Sequence, residues 1–275
     1  MNLMKKIPIF LHIPKTGGTT LRDIINRQYK SSQIYTIATL KESENFHEKN
    51  IISTFKKIKI IRGHLKYGFH NKINIEPVYF TILRNPVERV LSTYYYVLSN
   101  KNNPQNLSTS SKYISIYEFI ESGINPFLMN GQTQLLAGLT TNVYDPAFHS
   151  EELYQIAKTN LENNFIFVGL TEMFDESVVL IKKILNWKTP YYSSANRTKK
   201  KPDFKKITLD ERTYIENHNQ LDLKLFNFAK NMLINEINKG GQELQDEITK
   251  FKKTNKVINP IFGYSRAKRF FYKLF

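Results

Sequence analysis

His12-Ile13-Pro14-Lys15-Thr16-Gly17-Gly18-Thr19-Thr20 joins a strand-like alternation at Ile7, Ile9 and Leu11 to a helix-like one at Leu21, Ile24 and Ile25. A link of this composition between those two elements is built to hold a phosphate. Gly17 and Gly18 let the backbone approach an anion, and Lys15 supplies a point charge. The hydroxyls of Thr16, Thr19 and Thr20, with the free N–H groups of a helix start, complete the cradle. Strand, loop and helix together predict an α/β fold of P-loop-like, three-layer form, with a central, mostly parallel sheet flanked by helices. The loop is not a Walker A sequence, because Lys15 precedes both glycines instead of following the second.

A second stretch, Val78-Tyr79-Phe80-Thr81-Ile82-Leu83-Arg84-Asn85-Pro86-Val87-Glu88-Arg89-Val90-Leu91-Ser92, repeats the strand-to-helix transition. Val78 to Leu83 is apolar and long enough for a buried strand. Asn85 suits a helix cap, Pro86 the first helical position, and Glu88 a capping box. The strand therefore ends at Arg84. Ser92 falls in the second turn of the helix, so Arg84 and Ser92 can converge on one anion. Arginine fits that task through its two-pronged fork.

The string P-K-T-G-G-T-T resembles the 5′-phosphosulfate loop of sulfotransferases that use 3′-phosphoadenosine-5′-phosphosulfate (PAPS), in particular the heparan sulfate 2-O- and 6-O-sulfotransferase group and related bacterial enzymes. The resemblance implies that Lys15, Thr16, Gly17, Gly18, Thr19 and Thr20 bind the 5′ end of PAPS. It implies the same for Arg84 and Ser92 at the 3′-phosphate, with adenosine 3′,5′-bisphosphate as the product. His64, in the strand exit Arg62-Gly63-His64-Leu65-Lys66, then takes the place of the family's catalytic base, with Lys15 as its catalytic partner. Asn196-Arg197-Thr198 resembles a loop that closes over the nucleotide, which makes Arg197 and Thr198 further contacts. The resemblance continues through the segment Asn130–Gly138, through V-G-L-T-E-x-F-D-E-S at 168–177 and through Asn219-Gln220-Leu221-Asp222-Leu223-Lys224-Leu225-Phe226, and stops near residue 232. The family usually has arginine where Gln134 stands and tyrosine where Phe226 stands. The implied activity is sulfuryl transfer to a hydroxyl acceptor, expected to be a glycan, with no metal.

The 275 residues, 41% hydrophobic and 13% aromatic, suffice for one packed α/β domain. Residues 1–239 are expected to form it, with 240–275 a basic, aromatic extension. The absence of cysteine excludes disulfides and thiolate metal sites. A net charge of +16 attracts anionic partners of any kind. It leaves two rivals to consider, a P-loop kinase using ATP and a non-catalytic binder of heparin or nucleic acid. The kinase lacks its lysine after the glycines, and the polyanion binder does not explain two phosphate loops, so nucleic acid is not an expected partner. Pro8, His12, Pro14 and Lys15 interrupt the amino-terminal apolar segment, which argues against a signal peptide. No run of about 18 apolar residues predicts a transmembrane anchor. The expected setting is cytoplasmic, with the tail Arg266–Phe275 a candidate for peripheral contact with an anionic membrane.

Other readings are structural. His12 is expected to be buried beside the loop, Tyr94-Tyr95-Tyr96 to pack a helix, and Ser31 to Asn50 to be irregular. His70 aligns with no catalytic position. Thr208-Leu209-Asp210-Glu211 is a capping box that opens one long helix through Lys239.

Overall fold

The computed structural model of the protein describes residues 6–46, 57–73, 75–99, 114–139, 150–193 and 207–271, the last thirteen as backbone only. In chain order these form β1 (Lys6–Leu11), α1 (Gly18–Gln28), β2 (Ile34–Ile37), α2 (Leu40–Glu44), β3 (Ile60–Gly63), β4 (Glu76–Leu83), α3 (Pro86–Ser99) and α4 (Ile116–Glu121). There follow α5 (Gly131–Ala137), α6 (Glu151–Asn164), β5 (Phe165–Leu170), α7 (Phe174–Ile184), α8 (Leu209–Asn217), α9 (Gln220–Lys239) and α10 (Gly241–Phe271).

The five strands make one sheet in the order β2-β3-β1-β4-β5, and every pairing is parallel. Strand β1 is central, with Ile9 level with Ile61 on one side and Tyr79 on the other. Ile7, Ile9, Phe10 and Leu11 are all buried, as a parallel strand covered on both faces requires. Because all strands run the same way, their carboxyl ends gather at one edge of the sheet. Leu11, Gly63, Leu83 and Leu170 end there, and open α/β sheets bind ligands at that edge. This is the expected α/β, P-loop-like fold with a central parallel sheet flanked by helices.

Most of the apolar core is continuous across the sheet, while Val87, Val90, Leu91, Val97, Ile116, Phe119, Ile120, Leu128 and Ile215 form a second cluster among α3, α4 and α8. Helix α10 begins at Gly241, just past the expected 239/240 boundary, and its Leu244, Ile248 and Phe251 side chains enter the main core. Tyr191 stacks on Phe251 at 5.4 Å, and the Tyr192 N–H donates to Asn255 Oδ1 at 2.8 Å. The first half of the extension is therefore docked on the α/β body.

Several local expectations are revised. The stretch 31–50 contains β2 and α2, and β2 is an edge strand whose Thr36 faces solvent. The long helix from Thr208 is two, α8 and α9, broken at His218 and Asn219. Its capping box is present, with Thr208 N–H to Glu211 Oε2 at 2.8 Å and Glu211 N–H to Thr208 Oγ1 at 3.1 Å. At Asn85 only half the box forms. Its Oδ1 accepts from Val87 and Glu88 N–H, but its own N–H donates to Glu172 Oε1 at 2.9 Å. Glu88 turns instead to Arg84. No helix among the described residues is long and apolar enough to cross a membrane, and the expected membrane contact of the tail finds no support.

Candidate active site at the carboxyl ends of the strands

The loop after β1 is held by its own turns. Thr16 is fully buried and its hydroxyl donates to Ile13 O at 2.8 Å, so this threonine braces the loop and leaves only its main chain for a ligand. Lys15 has φ +69°, a left-handed conformation that costs a non-glycine residue about 1–2 kcal/mol. Strain of this kind persists where a site needs it. Gly17, at φ +83°, is the cap of α1, and no side chain caps that helix. A helix start whose N-cap residue has no side chain to cap it is suited to receive an anion.

Gly18 has a different reason to be glycine. A Cβ there would lie 1.8 Å from His12 Nε2, because the His12 ring rests against the start of α1. Gly18→Ala is expected to displace that ring and cost about 1–3 kcal/mol of stability, the usual effect of overpacking. Chemical denaturation would measure it. A variant as stable as wild type would mean that the His12 ring can move freely.

Arg84 emerges from β4 with its main chain clamped by a single side chain. Gln132 Oε1 accepts from Arg84 N–H at 2.9 Å, and Gln132 Nε2 donates to Arg84 O at 2.8 Å. The Arg84 guanidinium donates through Nη1 to Lys15 O at 3.2 Å and pairs through Nη2 with Glu88 Oε2 at 3.5 Å. The two loops thus form one site. On α3, Glu88, Ser92 and Tyr96 follow one another at single-turn spacing on a common face. Arg84 meets the first of these, and the Lys15 ammonium sits 4.1 Å from the centre of the Tyr96 ring, so Ser92 lies between the two cations along the helix. Burial, and then the nearby Arg84 charge, bring the Lys15 pKa down to about 8. Among the three tyrosines, Tyr94 and Tyr95 pack against the second core cluster, as expected, whereas Tyr96 is half exposed at the site.

His64 leaves β3 beside this loop. Its Nδ1 lies 3.2 Å from His12 O. A carbonyl only accepts, so Nδ1 carries the proton and Nε2 keeps its lone pair. Burial lowers the His64 pKa below the ordinary imidazole value, opposed by the His12 carbonyl and reinforced by Arg22. The His12 ring stacks on His64 with centroids 4.5 Å apart and planes 28° apart. His12 is itself held down to about 3, by burial first and then by the His64, Arg22 and Arg62 charges.

Lys15, Gly17, Gly18, Arg84 and His64 are therefore gathered at one end of the sheet, with Thr19 and Thr20 in the first turn of α1 and Ser92 on the facing helix. Arg197 and Thr198 lie outside the described residues. Gln134 is not in a cleft: it is buried, and its Nε2 donates to Met129 O at 2.6 Å. His70 is engaged elsewhere, its Nδ1 3.0 Å from Tyr79 Oη. Reading the sequence misses Gln132, Glu172, Asp222 and Tyr96. Gln132 and Asp222 lie within segments of resemblance, but their partners are distant in the chain. Among the described residues no group of three or more His, Cys, Asp or Glu side chains could hold a metal ion.

The model of the Sulfotransferase family matches residues 5–229. The heparin sulfate O-sulfotransferase of Drosophila melanogaster is 23% identical over 229 residues, covering 75% of this chain and 65% of that protein. Heparan-sulfate 6-O-sulfotransferase 3 of Mus musculus is 25% identical, covering 83% of this chain and 57% of that protein. Heparan sulfate 2-O-sulfotransferase 1 of the same species is 24% identical, covering 74% and 61%. The chain thus spans 57 to 65% of the length of these relatives. With the match running from before β1 into α9, across every strand that builds the site, the chain belongs to the sulfotransferase family.

Proposed function

We propose that the protein transfers a sulfuryl group from PAPS to a hydroxyl acceptor on a carbohydrate, with residues 1–239 as the catalytic unit. The observation that carries this reading is the bond from the Arg84 guanidinium to the Lys15 carbonyl, which makes two anion-binding loops a single site. A nucleotide with phosphates at both its 5′ and 3′ positions needs two such groups of cations side by side. The residues present fit it: an uncapped helix start preceded by Lys15 for the 5′ end, and Arg84 with Ser92 for the 3′ end. Arg197 and Thr198 are proposed as further contacts to the nucleotide. The glycan acceptor follows from the relatives, whose names refer to heparin and heparan sulfate.

His64 Nε2 takes the acceptor hydroxyl proton while the acceptor oxygen forms its bond to sulfur and the bond from sulfur to the bridging oxygen breaks. An imidazole kept neutral at pH 7 is ready for that role. Lys15 faces the charge that develops on the departing oxygen, and the loop amides hold the 5′-phosphate. The left-handed backbone of Lys15 and its lowered pKa support this role, since both mark a partly desolvated cation beside Arg84.

The reading is tested by transfer of radiolabelled sulfate from PAPS to a panel of glycans, lipids and peptides. Wild type is expected to label a glycan, and Lys15→Ala to lose about 100- to 1,000-fold in turnover, the usual result of removing one group that stabilises the developing charge. Full transfer by Lys15→Ala would remove Lys15 from the mechanism, and labelling of peptides alone would overturn the acceptor.

A further inference from the structure

We infer that His12 is a positioning residue for His64: its ring covers one face of the His64 imidazole, keeps water off it and fixes its plane. The inference rests on the reading of His64 as the base.

Three contacts lock the His12 ring in place. One face stacks on His64 at 4.5 Å, the ring also stacks on Phe10 at 5.5 Å, and its Nε2 edge presses on Gly18. Phe10 in turn stacks on Phe80 at 5.3 Å, so a column of rings runs from the sheet core to the base. The main chain of the same residue completes the arrangement, because the His12 carbonyl sets which His64 nitrogen carries the proton. One residue thus supplies both the orientation of the base and the cover on its face. It also ties the base to α1, since any shift of Gly18 moves the His12 ring.

The charged groups around this pair are Arg22 on α1, itself 3.9 Å from Asp23, and Arg62 on β3. The Arg62 guanidinium is fixed by Thr36 Oγ1 at 3.1 Å and by Arg22 O at 2.9 Å. Burial first, and then the His64, Arg22 and Arg62 charges, keep His12 uncharged, so it does not repel the proton that His64 takes up. An uncharged flat ring is what the position requires, which makes phenylalanine its nearest substitute and alanine its opposite.

The test is a titration of the His64 imidazole by nuclear magnetic resonance in wild type, His12→Phe and His12→Ala, alongside the pH dependence of kcat. Burial is the first cause of the lowered His64 pKa, so removing its cover moves the value upward. In His12→Phe the His64 titration and kcat are expected to stay within about threefold of wild type. In His12→Ala the His64 midpoint is expected to rise toward 6.5, with kcat falling about tenfold or more and its acid limb moving up in step. If His12→Ala leaves the His64 titration unchanged, the inference fails. If His12→Phe behaves like His12→Ala, a ring nitrogen and not the stacked face does the work, and the inference fails in that form. If the His64 titration shifts but the acid limb of kcat does not follow it, the contact stands and the base reading falls.

Discussion

His64→Ala is expected to lower sulfuryl transfer by about 100- to 10,000-fold, the range for loss of a general base, while leaving nucleotide affinity within about twofold. The expectation follows from geometry before chemistry. His64 Nδ1 is committed to the His12 carbonyl, so its one free lone pair is on Nε2. The pH dependence carries a sign. The base works when neutral, and burial lowers its pKa below 6.5, so kcat should remain flat through pH 7 and fall only at lower pH. A wild-type acid limb centred well above 6.5, or full transfer by His64→Ala, would place the base elsewhere.

The second large effect is on the fold. Asp222 is fully buried at the start of α9 and serves α5, ninety residues away in the chain, as a cap. It accepts from Gln132 N–H at 3.1 Å, from Thr133 N–H at 2.8 Å and from the Thr133 hydroxyl at 2.7 Å. It also neutralises Arg89, a guanidinium only 2% exposed, through Nη2 at 3.5 Å; that nitrogen donates to Phe127 O at 2.6 Å as well, and Arg89 Nε has no hydrogen-bond partner. The service is mutual, because Asn130 Oδ1 at the start of α5 accepts from Leu221 and Asp222 N–H at the start of α9. Asp222→Ala strands the Arg89 charge and uncaps α5, so it should cost about 3–5 kcal/mol. A domain of ordinary stability, about 5–15 kcal/mol, would be left barely folded. Urea denaturation measures this, and adding Arg89→Met should recover part of the loss by removing the stranded charge. A loss under about 1 kcal/mol would mean that water or a side-chain shift satisfies the pair. Because Gln132 also clamps the main chain of Arg84, weakened nucleotide binding should accompany the lost stability.

These two predictions differ in how far the sequence announces them. The place of His64 is legible because it stands at a strand exit just before another strand, while its proposed role as base comes from the family resemblance. The phosphate loop, the Arg84 turn and β5 are legible for the same reason: each is a local pattern of period, charge and cap residue. Asp222 is not, because its meaning lies in Gln132, Thr133 and Arg89, and no periodicity links positions so far apart. The break between α8 and α9 has a similar cause. No glycine or proline marks it. Instead Asn219 Oδ1 reaches across to the Asn130 N–H at 2.9 Å, and that contact starts a new helix. Glu88 shows the reverse, a correct local pattern overridden when Glu172, from the end of β5, takes the Asn85 N–H and frees Glu88 for Arg84. Strand β2 escapes notice because four residues at a half-exposed edge alternate too weakly to stand out from a polar stretch. For Tyr96 the sequence offers a run of three tyrosines. Only the fold separates the two that pack from the one beneath Lys15.

The central claim is that the Lys15 loop and Arg84 grip the two ends of one nucleotide. Calorimetric titration of wild type and Arg84→Ala with adenosine 3′,5′-bisphosphate and with adenosine 5′-monophosphate tests it most directly. Saturable binding of the bisphosphate by wild type is expected, about tenfold or more tighter than the monophosphate, as loss of a charge-assisted contact predicts, with the preference abolished in Arg84→Ala. Equal affinity for both nucleotides in wild type, or a preference that survives in Arg84→Ala, would contradict it.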